Sequence, residues 1–266
     1  MNRSVWWKLL VIFGLPASIL FSLLNGLVSP IGWGIGVLFA ALYLVAGLLL
    51  FRAGPLWPNA GAWYVLSCLT WGSGVSTALV LWPSMAWSDI TTKLGWDPLL
   101  ASFSGAIPEE LAKALGVVLI VYGFRALNRP WHGFVTGGLI GLGFEINENL
   151  VYGAVGALYD ANSDLTGAVS MWGLRSLAGP GIHVALAALS GWGIGLAIFC
   201  VGRRGALAWL GFSTFIHFVW NIITTFPLEQ MIRLGVLMVI LYGSFIYVYW
   251  KAVRMQKVDN SYVLLM

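Results

Sequence analysis

The run Pro108-Glu109-Glu110-Leu111-Ala112-Lys113 sets two adjacent carboxylates and an ammonium group within an apolar stretch. Phe144-Glu145-Ile146-Asn147-Glu148-Asn149 adds two more carboxylates, three residues apart, and His183 and His217 follow, the latter with Asn221 four residues on. Four of the chain's ten carboxylates and two of its three histidines therefore lie in stretches apolar enough for membrane helices. A charge near the bilayer centre costs roughly 2.5–3.5 kcal/mol, so this set scattered in lipid would cost on the order of 10 kcal/mol. These groups must share a polar interior site. Paired carboxylates can supply a general base and its partner, imidazole with carboxylate binds zinc, and an Asn beside a His can donate to an oxyanion. The chemistry open to such a set is hydrolysis or the passage of ions or protons.

Spacing sorts the groups by face. Glu109 and Lys113 form one helical stripe, with Glu110 about 100° away, so the neighbouring acids can take different roles. Pro108 followed by two acids is also simply a good helix start. Glu145, Glu148 and Tyr152 share one face, an inward one because carboxylates avoid lipid. Of the glycines before them, Gly133, Gly137, Gly138, Gly141 and Gly143, a GxxxG pair suits close approach of a neighbouring helix. His132, beside Trp131, reads as interfacial.

The elements that must position these residues follow from composition. With 59% hydrophobic and 9% charged residues and a mean hydropathy of +0.87, the chain cannot cover a soluble globule with polar surface. The fold class is all-α, a polytopic membrane protein. Cys68 and Cys200 lie in separate apolar runs and support neither a disulfide framework nor a CxxC site. The net charge of +4 comes from dispersed residues, which argues for topology signals and against a nucleic-acid partner. Eight apolar spans fall near 5–25, 33–52, 61–83, 104–124, 131–157, 178–201, 205–226 and 230–250, broken at motifs such as Gly54-Pro55, Asn128-Arg129-Pro130 and Gly179-Pro180-Gly181. An even count puts both termini on one side. Ten Lys and Arg residues, from Arg3 and Lys8 to Arg203, Arg204 and Lys257, share that side, against Lys93, Arg175 and Arg233 on the other. This bias places the termini in the cytoplasm of a multi-pass cell-membrane protein. Trp57, Trp131 and Trp250 near the inner ends, and Trp82, Trp96 and Trp172 near the outer ends, read as aromatic belts. One integral membrane domain, 1–266, is expected: N-terminal spans at 5–83, a core at about 104–226 and a C-terminal span at 230–250. Outer loops are expected at 84–98 and 158–177, with a poorly ordered tail at 255–266.

In this layout Glu109, Glu148, His183 and His217 all fall within about 5–15 Å of the outer face. Their motifs resemble a known family. EExxK (Glu109, Glu110, Lys113), FxxxE with Asn (Phe144, Glu148, Asn149), the segment from Arg175 to His183, and HxxWN (His217, Trp220, Asn221) are similar to those of the PrsW intramembrane proteases, and of a wider superfamily with the CAAX prenyl endopeptidases and bacteriocin-processing proteins. That superfamily mostly has His where this chain has Glu148. The resemblance implies an intramembrane endopeptidase acting on a single-span, membrane-anchored protein of the anti-sigma-factor kind, near the outer face of the lipid bilayer. Within it Glu109 is the general base and Glu110 its partner. Glu148, His183 and His217 hold zinc or the water directly, and Asn221 polarises the carbonyl. A proton- or ion-coupled transporter and a catalytically inactive scaffold stay open as alternatives.

Overall fold

The computed structural model describes residues 3–200 and 204–259, and all regular structure among them is helical. The chain runs α1 (Arg3–Val28), α2 (Pro30–Ala53), α3 (Gly61–Thr70), a π-helical turn (Trp71–Ser76) and α4 (Thr77–Lys93). A second π-helical turn (Ser102–Ala106) leads directly into α5 (Ile107–Gly123), followed by α6 (Pro130–Tyr159) and α7 (Asp164–Ala178). The remaining helices are α8 (Ile182–Phe199), α9 (Arg204–Trp220) and α10 (Pro227–Lys257). Local chemistry explains the starts. Proline occupies the first turn of α2, α5, α6 and α10, where its missing N–H leaves no bond unmade. Ser29 caps α2 through the amide of Gly32, and Ser163 caps α7 through that of Thr166. Between α6 and α7 the amides of Ser163 and Asn162 donate to Asp160, holding its carboxyl below its ordinary pKa.

Among the described residues, five stretches are long and apolar enough to cross a membrane: Leu10–Val28, Pro30–Ala53, Gly61–Lys93, Asp164–Phe199 and Pro227–Lys257. Each of the eight expected spans has a helix in the structure. However, α5 and α9 are only 17 residues long, and α6 breaks its apolar run with Glu145, Asn147, Glu148 and Asn149.

Two expected loops prove largely helical. α4 continues through Pro83 to Lys93. Residues 164–178 form α7, which runs back along α6: Gly167 packs on Gly156, and Trp172 on Gly153. α8 then continues along the same partner, with His183 at Gly141, Ala187 at Gly137 and Gly191 at Gly133. α7 and α8 are thus one span interrupted at residues 179–181, and the interruption lies beside Tyr242, halfway along α10.

α6 is the axis of the bundle, packed against α8, α2 and α7 and against the α3 end. The main core gathers Tyr64, Phe134, Leu139, Ile140, Leu186 and Trp192. Trp131 and Trp172, expected in aromatic belts, are buried instead, because the faces they occupy meet neighbouring helices. The expected disorder from residue 255 does not begin there: α10 extends to Lys257, and Asp259 pairs with Arg129. Arg203 and residues 260–266 lie outside the described residues.

Candidate active site

Glu109, Glu110, Lys113, Glu145, Glu148, His183 and His217 collect around the break between α7 and α8, whereas Asn147 turns away to Thr77. α5 begins here with Glu109 and Glu110 in its first turn. Glu110 is completely buried, and its Oε1 accepts from Lys113 Nζ at 2.6 Å and bonds His217 Nδ1 at 2.9 Å. Lys113 therefore pairs with the acid three residues before it and not with Glu109, four before. Both spacings bring side chains together on a helix, and the buried acid takes the ammonium. The same Nζ lies 2.9 Å from His183 Nδ1 and 4.7 Å from the centre of the Phe144 ring.

From α6, Glu148 Oε2 meets His183 Nε2 at 2.7 Å and also accepts from Arg175 Nη2, while Arg175 Nε donates to Asn149 Oδ1. Arg175 stacks over Tyr152 at 4.2 Å, so the Glu145/Glu148/Tyr152 face points inward over most of its width. The rings of His183 and His217 are 5.0 Å apart. Each imidazole thus has one nitrogen tied to a carboxylate, His183 Nε2 to Glu148 and His217 Nδ1 to Glu110.

Glu109 stands in front of the other two nitrogens. Its Oε2 is 4.0 Å from His183 Nδ1 and 3.9 Å from His217 Nε2, and it is buried without a hydrogen-bond partner. These separations are too long for direct hydrogen bonds. They leave room for one atom touching all three. Glu109, His183 and His217 offer three donor atoms within 4.8 Å of one another, and one carboxylate with two imidazoles is a donor set of catalytic zinc sites. The residues present fit such an ion, provided Lys113 releases Nδ1 and keeps Glu110.

Asn221, one residue past α9, donates from Nδ2 to Ala101 O at 3.2 Å. Nδ2 and Glu109 Oε1 border the same point, lying 3.1 and 3.3 Å from where a Cβ on Gly105 would be. Glu109 is 13% and Glu148 21% exposed, so the cluster is not sealed. By contrast, the apolar cavity of about 540 Å³ between α2, α6, α8 and α10 is lined by none of these Glu or His residues.

Glu148 sits eleven residues before the end of α6, about 16 Å along its axis. His132 is remote from the cluster: at the start of α6 it is buried among the helices, and its Nδ1 accepts from the amide of Asn128 at 3.1 Å. Arg175, Asn149 and Lys113 were legible only as parts of motifs, since their partners come from other helices or from a choice of face.

Residues 60–249 match the family model described as PrsW family intramembrane metalloprotease. No curated protein and no solved structure matches the chain.

Proposed function

The chain belongs to the PrsW family of intramembrane metalloproteases, and from that premise we propose that it cleaves a single-span membrane protein inside the bilayer, in the half facing away from the cytoplasm. The protein is a membrane-embedded, multi-pass hydrolase. The observation that carries the mechanism is the unpartnered Glu109 Oε2 facing two imidazole nitrogens at 3.9 and 4.0 Å.

Glu109, His183 and His217 would hold a zinc ion, which when bound supplies Lewis acidity and lowers the pKa of a water to about 7. Glu148 takes a different part from the ligand role its sequence position suggested. Its Oε2 already serves His183 Nε2 and Arg175, so it fixes the tautomer and direction of the His183 ring, as Glu110 does for His217 through Nδ1.

Glu109 Oε1, on the side of Gly105, takes the proton from the attacking water as its oxygen bonds the scissile carbonyl carbon. Asn221 has a second amide N–H beyond the one bound to Ala101 O, and this donates to the oxyanion. When the C–N bond breaks, the proton held by Glu109 passes to the leaving amine. Water reaches the cluster where the span is broken and Glu109 and Glu148 stay partly exposed. The order of motifs also supports kinship with the CAAX prenyl endopeptidases, and the position of the cluster supports a substrate of the anti-sigma-factor kind, anchored by one helix.

The test is cleavage of single-span reporters by detergent-purified protein. Glu109→Gln should reduce turnover at least about 10³-fold with folding intact, within the range for loss of a general base. Chelation should abolish cleavage and zinc restore it, and metal analysis should find zinc in the wild type and not in His217→Ala. Normal cleavage by Glu109→Gln would overturn the assignment. The broken α7–α8 span is also an architecture of transporters; ion flux in liposomes without any reporter cleavage would favour that reading.

A further inference from the structure

We propose that Glu145 is a positioning residue for the hydrolysis, forming with Glu148 a two-point clamp on His183 that holds its main chain while Glu148 holds its ring. The inference rests on the proteolytic reading above for its effect on turnover, but its geometry stands independently.

The break in the α7–α8 span creates a problem. Gly181, the residue at the start of α8, has φ +71°, a left-handed conformation that favours glycine. Glycine has no side chain, so Gly181 offers no side-chain cap, and of the first two amides of α8 only that of Ile182 finds a partner within the segment, Gly179 O at 3.2 Å. The free amides of a helix start inside a membrane domain need partners, because water is scarce and an unmade bond costs several kcal/mol. Glu145 supplies one from another helix: its Oε2 accepts from the backbone N–H of His183 at 2.8 Å. On the other side of the break, Tyr242 of α10 donates to Pro180 O at 2.9 Å.

The amide that Glu145 caps belongs to the residue whose ring faces Glu109. Glu145 and Glu148 are three apart on α6 and so point to one face. One holds His183 at its backbone nitrogen and the other at Nε2, 2.7 Å away. With both ends held, the position of Nδ1 is determined, and it is this atom that lies 4.0 Å from Glu109 Oε2. Glu145 makes no hydrogen bond to Glu109 or His217; its bond into the cluster is the one to the His183 amide.

The clamp needs an acceptor of the right length, and its charge is dispensable. Glu145→Gln keeps the acceptor and should cleave within about threefold of the wild type. Glu145→Leu removes it, and Glu145→Asp withdraws it by one methylene. Both should lower kcat by about 10²-fold, the cost of a displacement of about 1 Å, with little change in KM. Amide hydrogen exchange in detergent gives a readout that needs no turnover: the His183 amide should be protected in the wild type and Glu145→Gln and exchange faster in Glu145→Leu and Glu145→Asp. Asp keeps the buried carboxylate and provides the comparison should Leu fail to fold. Equal His183 protection in wild type, Gln and Asp overturns the clamp, whether or not any reporter is cleaved. Unchanged kcat in Glu145→Asp with the amide deprotected overturns its role in hydrolysis. Absence of cleavage by the wild type would count against the proteolytic reading, while exchange still decides the clamp.

Discussion

Gly141→Ala adds one methyl group to α6 and alters no polar side chain of the cluster. A Cβ at this position would sit 2.2 Å from the carbonyl oxygen of His183, 2.7 Å from its carbonyl carbon and 2.8 Å from Val184 Cα. All three are backbone atoms, so no rotamer change relieves the overlap. Non-bonded heavy atoms are comfortable at roughly 3.5–4.0 Å, so the start of α8 must withdraw by on the order of 1 Å. Overpacking of this kind costs about 1–3 kcal/mol, and the better helix propensity of alanine offsets up to about 1 kcal/mol of it. The fold should therefore survive with a lowered unfolding temperature. The same withdrawal moves His183 away from Glu145, Glu148 and Glu109 together, and a misplacement of about 1 Å is worth about 10²-fold in rate. The assay is kcat/KM on a single-span reporter in detergent, alongside thermal unfolding. Gly173→Ala on α7 is the control: its Cβ would meet nothing within 4 Å, so activity should be unchanged and stability slightly raised. If Gly141→Ala folds and cleaves within about threefold of the wild type, the α6–α8 approach does not set the position of His183, and the reasoning fails.

Lys113→Met strands Glu110 in the interior without its 2.6 Å partner and should destabilise the protein by about 3–5 kcal/mol; Lys113→Met with Glu110→Gln should recover much of that loss in the same unfolding measurement. Gly105→Ala would set a methyl 3.1 Å from Asn221 Nδ2 and 3.3 Å from Glu109 Oε1, and should reduce kcat/KM with almost no change in unfolding temperature. Both termini are proposed to be cytoplasmic, so in a background without Cys68 and Cys200 an impermeant thiol reagent applied outside intact cells should label Asn162→Cys and not Asn59→Cys, both exposed loop positions; the reverse pattern would invert the topology.

Several features of the site could be read without the fold because they follow from a single physical cost. Carboxylates and imidazoles in apolar runs cannot face lipid, so the sequence was enough to gather Glu109, Glu110, Glu148, His183 and His217 into one interior cluster. Helical periodicity likewise put Glu145 and Glu148 on one inward face, and the glycine spacing on α6 announced the close neighbour that proved to be α8. What composition blurred was the stretch 158–177. Its polar residues read as a loop, although Ser163 and Asp164 form a serviceable helix start and the segment packs along α6 as α7.

The sequence by itself determined the class of protein, the apolar helical elements other than α7, and the identity of the polar cluster, since burial cost and periodicity are properties of residue type and spacing. Only the tertiary structure decided who partners whom. Lys113 chooses Glu110 over Glu109, Glu148 is engaged by Arg175 and His183, and Glu109 is left with a bare oxygen before two imidazoles. It also decided that Glu145 caps a helix beginning in the middle of a broken span. These outcomes depend on distances of an ångström or so between helices far apart in the chain, and no local pattern encodes such distances.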